Sequence, residues 1–408
     1  MDFTPTEEQA AARDLAARIF GDLATPERLA AAGTGSDPEL WKALCAAGLV
    51  GAVAELGLLG LVLLLEEQGR TTAQVPFAST CVYGLLAVTA HGSAEQRERL
   101  LPGIGDGSVV VCGAFPAQGG VRASAQGQLT GTVPVVPWLR DATHVLVADE
   151  HGELWLTPVT DATLIEPVEL TAPWSAGRLT LDGATAERLG ATEAHADVLA
   201  APQAEVPASA HADVLAAPQA EVPASAYADV LAAPQADVPA SAHADVPASA
   251  HADVPASAHA DVLATARTAF AGLQAGVCAG SLARAVAHVN AREQFGRPLA
   301  TRQAVQLRAA DAYMDIEAIR VTAYEAAWRR DAELPYATHA LTAAWWASEA
   351  GRRVVDSGQH LHGGAGADLE HPVHRHFLWG RQLDGYLGCG AEVLQELGEL
   401  IVGEEAQS

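Results

Sequence analysis

The sequence predicts an α+β fold in which a helical block, a β block and a second helical block follow one another. Three observations carry that expectation. Residues 1–107 place apolar side chains at helical spacing behind two N-terminal capping signatures, and residues 108–190 shift to short β-branched runs separated by Gly, Pro and Asp. From 259 onward alanine-rich helical stretches return, punctuated at Gly296-Arg297-Pro298 and at Gly363-Gly364. The tract between, 191–258, has a different composition and reads as an insertion.

In the first block, Thr6 with Gln9 three residues later predicts a capped helix over A-A-R-D-L-A-A-R-I-F, and Ser93 with Gln96 predicts a second over E-Q-R-E-R-L-L-P-G. From Leu44 to Leu65 only Glu55 is charged, a stretch long enough to cross a bilayer. A carboxylate in mid-span costs about 2.5 to 3.5 kcal/mol. Gly48, Gly51, Gly57 and Gly60 read instead as breaks between buried helices. The β block offers S-V-V-V-C-G-A-F, T-H-V-L-V-A-D, E-L-W-L-T-P-V and G-R-L-T-L-D as strands.

The insertion is a repeat. H-A-D-V-L-A-A-P-Q-A-E-V-P-A-S-A runs from His195 to Ala210 and recurs identically from His211 to Ala226; a variant copy and two half-length units reach Ala258, and a last partial copy, H-A-D-V-L-A, leads into T-A-R-T-A-F. His195 to Ala258 holds eight Asp or Glu and no Lys or Arg. An acidic Pro-Ala-Ser tract of this kind buries too little apolar surface to offset its ordering entropy, so disorder is expected. Its histidines (His195, His211, His243, His251 and His259) are read as copied with the unit, in preference to a weak metal site.

A chain of 408 residues, half of them hydrophobic, is expected to form about two to four packing units. A formal charge of −26 argues against nucleic acid and against anionic membrane surfaces, because both demand clustered Lys and Arg. Five scattered cysteines without a C-x-x-C pair, behind an opening M-D-F-T-P-T-E-E-Q that lacks a signal-peptide layout, predict a reducing cytoplasm.

Arg292, Arg297, Arg302 and Arg308, in a segment read as placed on a long helix, stand against only Glu293, an island of positive charge suited to a pyrophosphate. It lies within R-E-Q-F-G-R-P-L-A-T-R-Q (Arg292 to Gln303), and downstream come H-L-H-G-G-A-G (His360 to Gly366) and H-P-V-H-R (His371 to Arg375). Zinc is the competing use for His360, His362, His371, His374 and His376, but they flank a glycine turn without Cys or carboxylate ligands at a recognised spacing. The three segments together resemble the acyl-CoA dehydrogenase family.

The resemblance implies an N-terminal helical domain (1–107), a middle β-barrel or sandwich domain (108–190) and a C-terminal four-helix bundle (259–408), with FAD as cofactor. It implies contacts from Arg292, Gln294, Phe295, Leu299, Arg302 and Gln303 to the flavin of a neighbouring subunit. His360, Leu361, Gly363 and Gly364 match the second flavin-contacting motif, with His360 replacing its usual Gln.

What is missing is as informative. The family places its catalytic glutamate in a Y-E-G-T element, which here reads Tyr386-Leu387-Gly388-Cys389, or on an earlier helix at the position of Ala266. Neither Leu387 nor Ala266 can take a proton. The ring-gripping segments are also altered: A-F-P-A (Ala114 to Ala117), and Val135 and Pro137 at the usual Trp and Thr positions. The chain most closely resembles the base-lacking subunit of the actinobacterial heterotetrameric (α2β2) acyl-CoA dehydrogenases of steroid side-chain degradation. That implies a partner subunit carrying the glutamate, an acyl-CoA substrate, and electron-transfer flavoprotein or a similar acceptor. The alternative is a non-enzymatic interaction protein on a degenerate scaffold; a neighbouring reading frame for a glutamate-bearing chain separates the two.

Overall fold

The computed structural model describes residues 3–115, 120–159, 163–190, 257–369 and 371–405. The chain divides into Met1–Thr192 with Asp253–Ser408, and Glu193–Ala252. The second unit, with nearly all of the acidic repeat, lies outside the described residues.

Helix α1 (Glu7–Leu23) opens on the expected capping box: the Gln9 N–H donates to Thr6 Oγ1 at 3.2 Å and the Thr6 N–H to Gln9 Oε1 at 3.0 Å. After α2 (Pro26–Ala32) and α3 (Pro38–Ala46), Gly48 turns the chain in the left-handed region and starts α4 (Leu49–Thr71). Gly57, at φ 73°, breaks α4 in two; Gly51 and Gly60 were expected as breaks but remain helical, since only a positive φ requires glycine there. The second half of α4 then needs its own cap. Asp331, from a distant helix, accepts the Leu58 and Leu59 N–H groups at 2.7 and 2.8 Å. Helix α5 (Phe77–Ser79), a π turn (Thr80–Leu86), α6 (Ala87–His91) and α7 (Ala94–Gly105) complete the block, α7 starting on the Ser93–Gln96 box.

The β block forms two four-stranded sheets. One has the order β1 (Val111–Gly113), β4 (His144–Ala148), β5 (Leu154–Pro158), β8 (Glu187–Arg188); the other β2 (Val121–Ala123), β3 (Gln128–Val136), β7 (Gly177–Thr185), β6 (Thr163–Pro167). Alternate side chains such as Val145, Val147, Leu129, Val133 and Leu179 meet in a shared core. The nine-residue β3 has no counterpart among the expected strands. Gly131 and Pro134 interrupt its pattern, and the ladder to β7 accommodates the proline by shifting register between Val133 and Val136.

Helices α8 (Ala258–Ala291), α9 (Gln303–Asp331), α10 (Ala337–Leu361) and α11 (Pro372–Gly385) pack as a bundle, followed by α12 (Gly390–Glu405). α4 lies close against α8 because small residues line the crossing: a Cβ on Gly272 would meet Val62 Cγ1 at 2.7 Å, and one on Gly69 would meet the Val277 backbone N at 2.6 Å. α4 and α8 are each long and apolar enough to cross a membrane, yet most of each lies inside the protein core. The last partial repeat copy is folded as the start of α8. Ser257 Oγ caps it by accepting the Ala260 N–H at 3.1 Å, and Val262, Leu263 and Ala264 are buried.

Candidate functional site

The arginine segment, expected on a long helix, instead leaves it. Arg292 is the C-cap of α8, and the chain turns through a hairpin, β9 (Glu293–Gln294) and β10 (Arg297–Pro298), before Leu299–Thr301 and α9. The two loop residues, Phe295 and Gly296, both have positive φ (57° and 77°), the geometry of a tight two-residue hairpin turn. That conformation is strained for an aromatic residue, and Phe295 is also 88 % exposed. The Arg302 guanidinium stacks over its ring, Cζ 4.9 Å from the centroid. Arg292, Gln294 and Gln303 are exposed beside it. Among the described residues, none of Arg292, Arg297, Arg302 and Arg308 forms an ion pair.

The second segment ends α10. His360 is exposed, Leu361 is buried, and Gly363 sits at φ 62°. Nothing in this chain would meet a Cβ on Gly363 or Gly364, so the backbone there faces open space. A small core of Ala285, Val289 and Leu361, with Leu299, Ala300 and Val305 packed on it, ties the end of α8, the post-hairpin turn and the end of α10 together. The two segments, 61 positions apart at Ala300 and Leu361, are thus neighbours.

The histidines do something the sequence reading missed. His362 is sandwiched between His288 and His371, ring centroids 4.7 and 4.9 Å apart, and its Nδ1–H donates to Gly358 O, 2.7 Å away. Burial and the neighbouring imidazoles lower the pKa of His288 and His371. His376 is fully enclosed, its ring nitrogens against Arg70 O (3.0 Å) and Pro372 O (3.3 Å), and burial pushes its pKa down to about 4. Among the described residues no group of three or more His, Cys, Asp or Glu is placed to hold a metal ion. His288 belongs to none of the quoted motifs, so only tertiary proximity could find it.

The interior where the base would act is filled. Ala266 is wholly buried and Leu387 is 6 % exposed; both belong to the main core. Around them Trp138 stacks on Trp174 (4.6 Å), Trp174 meets Trp379 and Tyr386 edge-on (5.5 and 5.6 Å), and Phe270 meets Tyr386 edge-on (4.8 Å). The Tyr83 and Tyr386 hydroxyls bond each other at 3.0 Å, and burial raises both pKa values. Arg267, beside Ala266, donates to Glu396 at 2.8 and 2.7 Å and to Leu387 O at 3.2 Å. No carboxylate faces this aromatic cluster from either base position. Of the altered ring-gripping residues, Val135 is partly exposed and Pro137 buried, while 116–117 lie outside the described residues.

The fold and these two faces define a flavin-dependent dehydrogenase scaffold, and comparison with known proteins agrees. Residues 6–108 match the acyl-CoA dehydrogenase N-terminal domain and residues 257–394 the acyl-CoA dehydrogenase C-terminal domain. The steroid acyl-CoA dehydrogenase Tcur3481–Tcur3483 contains a chain 37 % identical, covering 98 % of this chain and 99 % of that one, with a TM-score of 0.78. A chain of the ChsE4–ChsE5 complex from Mycobacterium tuberculosis is 26 % identical over 98 % and 99 % of the two chains, TM-score 0.77. The acyl-CoA dehydrogenase FadE27 of Mycobacterium tuberculosis is 28 % identical, with 98 % of each chain covered. This chain belongs to the acyl-CoA dehydrogenase family, whose members use FAD. Its own residues suit only the outer part of that cofactor: unpaired guanidiniums and open glycine backbone are on the surface, whereas aromatic side chains occupy the interior.

Proposed function

We propose that this chain is the base-lacking subunit of a heterotetrameric (α2β2) acyl-CoA dehydrogenase that introduces an α,β double bond into a steroid side-chain acyl-CoA, working in the cytoplasm with electron-transfer flavoprotein or a similar acceptor. The observation that carries the reading is the division described above. Ala266 and Leu387 lie in a buried aromatic core, while the Arg292 hairpin is exposed and nothing among the described residues would meet a Cβ on Gly363 or Gly364. Those residues complete the flavin site of a partner subunit that supplies the glutamate. FAD held there by Arg292 and the Gly363–Gly364 turn would supply hydride-accepting chemistry at the substrate β carbon, and the partner's base would take the α proton.

This chain's part is to bind and orient. Arg292, with Arg297 and Arg302 near it, offers charge-assisted bonds to the pyrophosphate; Gln294, Phe295, Leu299 and Gln303 contribute further flavin contacts. His360, Leu361, Gly363 and Gly364 supply backbone approach from the other side. An exposed apolar row on α9, Leu307, Met314 and Val321 at seven-residue intervals, continues from the hairpin and suits burial against a partner.

The experiment is co-expression with the glutamate-bearing chain and measurement of flavin per complex and of turnover. Arg292→Ala should weaken FAD binding by about 2 to 4 kcal/mol, with Arg292→Lys recovering part. Arg99→Gln, at an exposed pair with Glu187, serves as control. Equal flavin retention by Arg292→Ala and wild type would refute the assignment and favour a scaffold without flavin contact.

A further inference from the structure

A second basic site lies away from the hairpin. A cleft of about 830 Å³ opens between α2, the end of α4, the β6–β7 connection and the first turns of α11. Arg284 and Arg375 both line it. Arg375 donates to Thr72 Oγ1 (3.0 Å), Thr72 O (3.3 Å) and Gln74 Oε1, all neutral oxygens. Arg284 has no hydrogen-bond or ion-pair partner among the described residues, yet its charge bears on both His371 and His376. In a chain of net charge −26 with most of its guanidiniums paired, two cations share a cleft without a carboxylate bonded to either.

We propose that this cleft binds a phosphate-bearing, nucleotide-sized ligand, with Arg284 and Arg375 on the phosphates and the half-buried Leu170 and Leu378 against its ring. The volume falls within the range of small-molecule sites, about 300 to 1,000 Å³. The N-terminus of the 14-residue α11 opens at the same cleft and adds the positive end of its dipole. Partial desolvation of Arg284 and the deeper burial of Arg375, with no bonded carboxylate among the described residues, lower both pKa values, that of Arg375 to about 10, a cost that a bound anion would offset. Two lining residues, Trp174 and His374, each carry a ring nitrogen (Nε1 and Nδ1) that is buried without a partner. The opposing groups are few. Glu169 lines the cleft, Asp368 acts on His371, and Arg140 is spent on Thr34 and Ala176 O. None of the lining residues belongs to Arg292–Gln303 or His360–Gly364, the proposed flavin contacts, although His371 and Arg375 come from the H-P-V-H-R segment and His371 packs on His362.

The test is calorimetric titration of the full-length chain with ADP, inorganic pyrophosphate and adenosine, in the presence of excess FAD. ADP should bind saturably and more weakly as salt rises, pyrophosphate should bind less tightly, and adenosine should not bind. Arg284→Gln, which removes an exposed and unpartnered side chain, should weaken ADP by about tenfold or more. Arg99→Gln and Arg292→Ala should leave it unchanged. Equal ADP affinity in wild type and Arg284→Gln, or no saturation by about 5 mM ADP, would overturn the proposal. So would loss of ADP binding in Arg292→Ala alone, which would put the ligand at the hairpin. The flavin reading stands or falls separately, on Arg292 and FAD.

Discussion

Phe295 shows how a single residue can be unfavourable for its own chain. An aromatic side chain at φ 57° with 88 % of its surface in water gains little from folding, and left-handed backbone costs a non-glycine residue on the order of 1 kcal/mol. Asn tolerates that backbone better. Phe295→Asn should therefore leave the urea midpoint of the isolated chain unchanged or raised, while weakening FAD retention in the co-expressed complex. His376 makes the opposite kind of statement, about stability alone. Its folded pKa is pushed down to about 4 by burial, against 6.5 for an ordinary imidazole, so between those values the unfolded chain binds the extra proton. Stability from this residue is complete above 6.5 and lost as pH falls towards 4, with about 2 kcal/mol lost between pH 7 and 5. His376→Phe should flatten the pH dependence of unfolding across that window, even though the variant starts less stable for want of a bond to Arg70 O.

At the scale of elements, local signals set where helices begin, and distant residues repair what glycine breaks. Thr6–Gln9 and Ser93–Gln96 were legible as capping boxes because both partners lie within four residues. The cap of the second half of α4 was not, because Asp331 lies more than 270 positions away from Leu58 and Leu59. The start of α8 lies between these cases. Its first turn is the final copy of the repeat unit, and its cap, Ser257, belongs to the copy before it. Two deletions separate cap from linker: removing His195–Ala256 keeps Ser257, and removing His195–Ala258 puts Glu193 at the cap position. Both should assemble and turn over with the partner. The first should be more stable by about 1 kcal/mol in urea unfolding, the usual worth of a serine cap. Failure of both to assemble would show that the acidic tract is needed.

For the whole molecule, the filled interior leads to the prediction that the chain is inactive in isolation and that activity is difficult to restore. Purified alone, the chain should be colourless and should not reduce an artificial electron acceptor with any acyl-CoA. Leu387→Glu, which returns a carboxylate to the family's position, should give no turnover either. It should also destabilise the chain by about 2 to 4 kcal/mol, because the new carboxyl would enter a core built of Trp138, Trp174, Phe270 and Tyr386. Absorbance at the flavin band, acceptor reduction and urea midpoints check all three expectations; turnover in Leu387→Glu would show that the site is open after all.

The sequence by itself determined the order of helical and β blocks, the helix caps and the family, because periodicity, capping and motif spacing are local properties of the chain. It placed the arginine segment on a helix, since a positive-φ Phe-Gly turn after a long alanine-rich run carries no period of its own. Strand β3 escaped for a related reason: Gly131 and Pro134 erase the alternation that the partner strand tolerates through a shifted register. Tertiary structure alone decided that the hairpin and the Gly363 turn share one small core, that six aromatic rings occupy the space around Ala266 and Leu387, and that Arg284 and Arg375 meet at one cleft. Each of these depends on side chains brought together from separate helices and sheets, and sequence separation carries no record of which faces will meet.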